Sequence, residues 1–232
     1  MPRVFNLLVG SNSDFFDGLG QSNYHAGTIT LTKRFSRHYS FTTNYTWSKA
    51  IDNSGSQNLA DLPEDNYRRD LERARSKQDV PHRFVGSFVA EGPEKTWLRD
   101  FRFSFISTFA GAHYYTIFAG SDVNNDGNPR TDRVGTLGRN TFKGDDYSNF
   151  DLRLSRLIRF SDRTHCEIIA EAFNLFNTLN VTEVNSVYGA AQFIGPEPKK
   201  FGERVTAPLS SFGTIRAIAP PRQIQFAFRL SF

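Results

Sequence analysis

The residues whose types and spacing point most directly to chemistry lie in the segment DVNNDGNPRTD, at positions 122–132. Oxygen-bearing side chains alternate along it and Gly127 occupies position six, as in calcium loops whose ligands recur at positions 1, 3, 5 and 7. Such loops carry a glutamate at position twelve, where this chain carries Arg133. A polar loop rich in turn formers has the same composition, so both interpretations stay open. The candidate ligands are Asp122, Asn124, Asp126, Asn128 and Asp132.

No pattern typical of an enzyme accompanies this segment. The five histidines form no H-x-x-x-H or H-E-x-x-H pair, and no G-x-x-x-x-G-K-[ST] phosphate loop occurs. The single cysteine, Cys166, has no His–Asp arrangement beside it. The net charge of +4 comes from scattered basic residues, which do not indicate a nucleic-acid-binding stripe. We predict a protein that is not an enzyme, has no nucleic-acid partner and has calcium as its one candidate cofactor.

Aromatic residues are abundant in a chain that is polar on average. Phe 23, Tyr 8 and Trp 2 make up 14% of the 232 residues, whereas the mean hydropathy is −0.46. Such aromatic content argues against disorder. No run approaches the ~18 consecutive apolar residues that a membrane-spanning helix needs, which excludes a helical membrane protein. A single cysteine excludes a disulfide framework within the chain.

Alternation of apolar and polar residues indicates where the aromatics go. In segment 39–48, YSFTTNYTWS, one face carries four aromatics in five positions and the other carries no apolar residue. The C-terminal segment 223–232, QIQFAFRLSF, alternates in the same way. A period of two predicts strands with one apolar and one polar face. The predicted strands are 24–35, 39–48, 81–92, 101–112, 146–160, 164–176 and 223–232.

The lengths of these strands and of their connections indicate a membrane barrel. Each strand is long enough for a tilted bilayer crossing of ~9–11 residues. Transmembrane barrels combine short periplasmic turns with long extracellular loops. We therefore predict an all-β fold: an antiparallel transmembrane β-barrel segment of about 7–8 long strands in the cell outer membrane. A soluble β-sandwich with decorated loops is the alternative. Short connections (36–38, 93–100, 161–163) alternate with long ones (49–80, 113–145, 177–222).

The predicted strands do not complete a barrel. With the short turns in the periplasm, strands 24–35 and 223–232 both run toward the periplasm, whereas outer-membrane barrels begin there and have an even strand count. Residues 3–10, RVFNLLVG, are a candidate for a shorter eighth strand. Met1 is not followed by the basic and apolar regions of a signal peptide. We expect residues 1–232 to be a single partial β-barrel domain, the C-terminal piece of a longer protein.

The same pattern assigns surroundings to individual side chains. Lys33 and Arg156 fall on the apolar face, where they are tolerated only near the interface by snorkelling. Asn174 and Asn177 are expected to cap the rim where a strand ends. The run 67–77, YRRDLERARSK, predicts a solvated, salt-bridged surface with a short helix, or a binding loop for ligand or lipopolysaccharide phosphates. Girdle candidates are Tyr39, Tyr45, Trp47, Phe101, Phe109, Phe228 and Phe232, and lumen candidates are Thr42, Asn44, Gln225 and Arg229.

An ordered series of segments carries a family resemblance. The segments are SNYHAGTITLTKRFS (22–36), FTTNYTWSKAID (41–52), DVPHRFVGSFVAE (79–91), DVNNDGNPRTDR (122–133), GRNTFKGDDYSNFDLRLSR (138–156), AEAFNLFN (170–177) and PPRQIQFAFRLSF (220–232). The series resembles the C-terminal barrel of TonB-dependent outer-membrane receptors, closest to the Oar-like branch with a carboxypeptidase-regulatory-like domain. The resemblance implies a 22-stranded barrel, an internal plug and import energised through TonB. Only about the last third of such a barrel is present, without the plug, the TonB box or the regulatory-like domain.

These observations predict the C-terminal barrel segment of a TonB-dependent outer-membrane receptor or transporter, which forms channel wall and ligand-contacting extracellular loops. Expected partners are outer-membrane lipid, lipopolysaccharide and the barrel-assembly machinery, which would recognise the C-terminal strand ending in Phe232. The TonB system would act only through the missing N-terminal regions. One alternative is a small autonomous barrel that acts as an adhesin or structural protein. A soluble β-sandwich binding module is the other.

Overall fold

Seven long strands dominate the computed structural model, which describes residues 19–54, 62–65, 67–161, 163–189 and 209–232. Each long strand pairs antiparallel with the next long strand along the chain, so that they form one meandering sheet. The all-β class and the seven predicted strands are confirmed. The strands are β1 (Ser22–Ser36), β2 (Tyr39–Asp52), β4 (His82–Glu91), β5 (Phe101–Ala110), β8 (Tyr147–Arg159), β9 (His165–Phe173) and β12 (Gln223–Ser231).

Shorter elements lie in the long connections. A single 3-10 turn, Arg69–Glu72, is the short helix expected in the charged run. No helix of the described residues is both long and apolar enough to span a membrane. These pairings between strands of two to four residues were not predicted, because such short strands leave no clear periodic signal in the sequence. β3 (Ala74–Arg75) pairs with β2, β6 (Tyr114–Tyr115) with β7 (Phe142–Lys143), and β10 (Val181–Val184) with β11 (Ile215–Ile218).

The register divides the sheet into two chemically different faces, because directly opposite residues share a face. One row across β2, β4, β5 and β8 is Phe41, Phe88, Phe105 and Leu152. The neighbouring row is Thr42, Ser87, Ile106 and Asp151, and it projects to the other side. We call these the apolar face and the polar face. Aromatic rings stack along the apolar face, with centroids 5.3 Å apart for Phe88 and Phe105.

The described sheet is open, because β1 and β12 each have a neighbour on one side only. Every step from β1 to β12 is antiparallel, and with seven strands the two end strands run in the same direction. The two edges therefore cannot pair antiparallel with each other, and closure requires an odd number of additional strands. The sequence predicts the same arrangement: an odd number of long strands, whose two end strands run in the same direction. Residues 3–10, the candidate eighth strand, lie outside the described residues.

The two ends of the sheet differ as predicted. At one end the connections 37–38, 92–100 and 160–164 are short, and both Arg37 and His38 have positive φ, as a two-residue type I′ hairpin requires. At the other end, the described parts of 53–81, 111–146 and 174–222 pack together into a unit that we call the loop cap. Its small apolar core consists of Ile117, Ala119, Val134 and Tyr188.

Candidate functional site

Charged side chains on the polar face are paired between neighbouring strands. On β8, Arg153 donates from Nη1 to Oε1 of Glu171 on β9 at 3.1 Å. Glu171 also accepts a hydrogen bond from Nε2 of Gln225 on β12. Arg102 on β5 forms an ion pair with Glu91 on β4. Groups of this kind are compatible with a hydrated lumen, whereas a lipid-facing surface offers them no hydrogen bonds.

The four predicted lumen residues all lie on this polar face. Thr42 and Asn44 alternate with the apolar-face residues of β2, and Asn44 Oδ1 accepts from Thr30 Oγ1 at 2.8 Å. Gln225 lies directly opposite Glu171, and Arg229 lies directly opposite Glu167. The hydroxyl, amide and guanidinium groups thus form one continuous polar surface.

A cleft of 690 Å³ occupies the short-turn end of the polar face. Glu91, Arg102, Arg159 and Glu167 line it together with residues of the turn between β4 and β5. Arg159 Nη2 lies 3.0 Å from Oδ1 of Asp100, so that opposite charges alternate around the cleft. This composition suits contacts with polar groups of either sign rather than selection of one strongly charged ligand.

Two buried arginines hold the long connections of the loop cap together. Arg133 is 4% exposed and donates from Nε to Glu64 Oε2 at 2.8 Å and from Nη1 to Glu72 Oε2 at 3.0 Å. Arg139 donates to the carbonyl of Glu72 at 3.1 Å and pairs with Asp52 at the end of β2. The network therefore joins the first two long connections to each other and to the wall. Buried charges persist only when paired in this way.

The buried network was missed by the sequence analysis. In the charged run, Arg68 and Asp70 match the predicted solvated surface, forming an exposed ion pair at 3.2 Å. The hydrogen bond from Arg68 lowers the pKa of Asp70. Glu72 contradicts that prediction, because it is only 4% exposed. Its partner Arg133 is 61 positions away, and no local pattern of charges shows such a pairing.

The predicted calcium segment folds as a series of tight turns. The Asp122 carboxylate accepts from the backbone N–H of Asp126 at 3.0 Å and of Gly127 at 2.7 Å. Asn124 Oδ1 accepts from Asp126 N at 2.9 Å, and Asp126 Oδ1 accepts from Asn128 N at 2.7 Å. Gly127 has φ 87°, a left-handed conformation that glycine adopts without strain. The contacts of Asn124 and Asp126 are those of successive Asx turns, and Asp122 bridges to the N–H groups four and five residues further on.

Asp132, the last residue of this segment, is buried in the loop cap and accepts hydrogen bonds from the beginning of the segment. Its side chain is fully buried, and Oδ2 accepts from the backbone N–H groups of Val123 and Asn124. Burial raises the pKa of Asp132, although the two N–H groups act in the opposite direction. Within the described ranges, no three His, Cys, Asp or Glu side chains are placed to hold a metal together. The five candidate ligands thus share one loop, and calcium binding by them stays a prediction.

Asn174 and Asn177 lie at the rim, as expected. Both have a positive φ, which asparagine tolerates better than most residues. Asn174 is buried, accepts from Thr178 N at 2.9 Å and donates to the carbonyl of Pro220 at 3.2 Å. Asn177 Oδ1 accepts from Arg222 N at 3.0 Å. The two side chains tie the end of β9 to the beginning of β12.

The two cations predicted at the membrane interface are found at the short-turn end of the apolar face. Lys33 Nζ lies 3.7 Å from the ring centroid of Tyr39 and donates to the carbonyls of Ser36 at 2.8 Å and Tyr39 at 3.0 Å. The guanidinium of Arg156 lies 4.8 Å from the ring centroid of Phe101. Each charge is therefore accommodated locally, by carbonyl oxygens or by an aromatic ring.

Comparison with known proteins gives one family match. A family model described as an outer membrane beta barrel domain matches residues 5–136 and 128–225. The two matched segments include the strands β1 to β11 and the beginning of β12. No curated protein matches the chain.

Proposed function

Because the chain belongs to the family of outer membrane beta barrel domains, we propose that it forms the C-terminal barrel part of a TonB-dependent outer-membrane receptor. In this proposal residues 1–232 are one partial domain, the polar face lines a hydrated channel and the loop cap contacts ligand at the cell surface. The open sheet supports the proposal. Seven strands whose end strands run in the same direction need an odd number of further strands, which a larger even-stranded barrel supplies, and the alternative of a small eight-stranded barrel has the same parity.

The wall acts passively in this proposal. Paired charges such as Arg153 and Glu171 keep the polar face hydrated without a strong net charge, so a polar solute can pass or bind by hydrogen bonds. The loop cap presents a preformed surface, because its buried ion pairs fix the long connections before any ligand arrives. Gating and coupling to TonB belong to regions outside this chain.

The C-terminal strand supports a further part of the proposal, recognition by the barrel-assembly machinery. β12 is an edge strand of the described sheet, with one unpaired side. Phe226 and Phe228 are 80% and 81% exposed, and the terminal Phe232 is 97% exposed. An exposed edge with alternating aromatics is a ready template for strand addition, which is how an assembly factor would bind it.

The mass of the native polypeptide tests the receptor proposal. Antibodies raised against the largely exposed segment 123–130 would be used to probe outer-membrane fractions of cells that express the gene at its own locus. We expect a polypeptide several times larger than 26.3 kDa. A heat-modifiable species of about the chain's own mass would refute the proposal and favour the small autonomous barrel. Recovery in the soluble fraction would refute both membrane proposals.

A further inference from the structure

The rows of the apolar face locate the membrane boundaries. On β2, Tyr39 lies at the short-turn end, and Trp47, which is 62% exposed, lies eight residues further on the same face. At ~3.3 Å per residue the two rings are about 26 Å apart along the strand. With the ~35–45° tilt of barrel strands this is about 20 Å across the membrane, most of the ~25 Å apolar band of outer-membrane barrels. The Trp47 row therefore lies close to the hydrocarbon boundary on the loop-cap side.

Beyond this boundary the apolar face becomes basic. Lys49 is the next residue of β2 on that face, and His25 of β1 lies directly opposite it. One row further out, Arg75 lies opposite Ile51. Arg73 shares this face by alternation, and its side chain contacts that of Asn23, the β1 residue opposite Ile51.

The acidic side chains of this region do not neutralise all of these basic residues. Arg75 pairs with Asp79 at 3.1 Å, but Lys49 and Arg73 are exposed and form no ion pair with a residue that the structure describes. Asp52 projects from the polar face and is bound by Arg139. The loop-cap end of the apolar face thus has exposed cations without an acidic partner among the described residues.

We propose that Lys49 and Arg73, flanked by His25 and Arg75, bind the phosphate groups of lipopolysaccharide in the outer leaflet. A group of exposed basic residues at the depth of the lipid headgroups is complementary to a leaflet whose glycolipids carry phosphates. Arg73 can bind a phosphate with two parallel hydrogen bonds, and Lys49 contributes a compact point charge. Trp47 beneath them anchors the same edge at the interface. This inference requires outer-membrane location with the loop cap outside, but not dependence on TonB.

Binding of lipopolysaccharide by the native polypeptide, purified from outer membranes in detergent micelles, tests the proposal. The variant K49Q/R73Q is compared with K95Q/R163Q, which removes one lysine and one arginine from exposed positions of the short turns. We expect at least a tenfold loss of affinity for fluorescently labelled lipopolysaccharide in K49Q/R73Q and less than a twofold change in K95Q/R163Q. Circular dichroism and heat-modifiable gel migration verify that each variant folds. The exposed single substitution K49Q, which touches no packed group, should still lose affinity several-fold.

The proposal would be overturned by equal losses in the two double variants, by undiminished affinity in K49Q, or by equal binding of lipopolysaccharide stripped of its phosphates. Vesicles of phosphatidylglycerol distinguish the glycolipid from any anionic lipid, and equal binding to them would also count against it. A native polypeptide of 26.3 kDa would refute the receptor proposal and leave this result unchanged, because a small barrel has the same outer leaflet around it.

Discussion

In the barrel wall many large apolar side chains are exposed, whereas in the loop cap several charged side chains are buried. Phe228 on β12 is 81% exposed, but Arg133 in the cap is 4% exposed and Asp132 is fully buried. The wall meets lipid on its apolar face, so exposure of phenylalanine is favourable there. The cap lies in water and has only a small apolar core, so it depends on paired charges. One chain therefore uses two kinds of stabilisation, and each can be removed separately.

The largest expected effect is on the cap alone. Arg133→Met leaves Glu64 and Glu72 without their main cation, and breaking a buried ion pair on one side costs about 3–5 kcal/mol. We expect rapid proteolysis of the long connections, while the wall, whose ladders do not include Arg133, keeps its heat-modifiable migration. The measurement is limited proteolysis of the native polypeptide purified from outer membranes, followed by mass spectrometry of the cleavage sites.

Arg68→Met is the matched control for this prediction, because Arg68 makes an exposed ion pair with Asp70 in the same charged run. Exposed pairs are screened by water and contribute little. Its proteolysis rate should equal that of the unchanged chain. If Arg133→Met also left the rate unchanged, or abolished the fold of the wall, the separation between wall and cap would be wrong.

The next largest effect is on the wall. Phe105 packs between Phe88 and Phe150 on the apolar face, with ring centroids 5.3 and 5.1 Å away. An arginine at that depth costs about 2–4 kcal/mol, so Phe105→Arg should lower the urea concentration at which the barrel of the purified native polypeptide unfolds. Ile106→Arg changes the adjacent residue, which faces the polar side opposite Asp151, and should change that concentration little. Equal effects of the two variants would mean that the faces are assigned incorrectly.

The sequence determines the wall more fully than the cap for a physical reason. Alternation along segment 39–48 is a local signal, since each side chain responds to lipid or water at its own position. The contacts of Arg139 with Asp52 and Glu72 span 87 and 67 positions, and they depend on how two long connections meet at the end of β2. The rim asparagines were predictable because a positive φ at the end of a strand favours asparagine locally.

A smaller effect is expected where the wall meets the cap. Asn174→Ala places alanine at φ 48°, a left-handed conformation that costs roughly 1–2 kcal/mol, and removes the hydrogen bonds to Thr178 and Pro220. We expect increased hydrogen exchange in the rim segments, where β9 ends and β12 begins. Asn174→Gly relieves the backbone strain and should recover part of the protection. Identical protection in the two variants would show that backbone conformation contributes nothing at this rim.

The smallest effect concerns the Asp132 carboxylate, and it also tests the calcium proposal. Burial raises its pKa, so the folded cap holds the proton more tightly than the unfolded chain does. Protection of the cap should therefore decrease as pH rises from the ordinary aspartate value of ~3.9 through the raised pKa. Asp132→Asn keeps an oxygen for the N–H groups of Val123 and Asn124, and should remove this pH dependence.

If calcium binds the segment 122–132, millimolar Ca²⁺ must protect the unchanged chain at neutral pH and leave Asp132→Asn unprotected. Equal protease resistance of both proteins with and without Ca²⁺ would mean that the buried carboxylate only organises the turn.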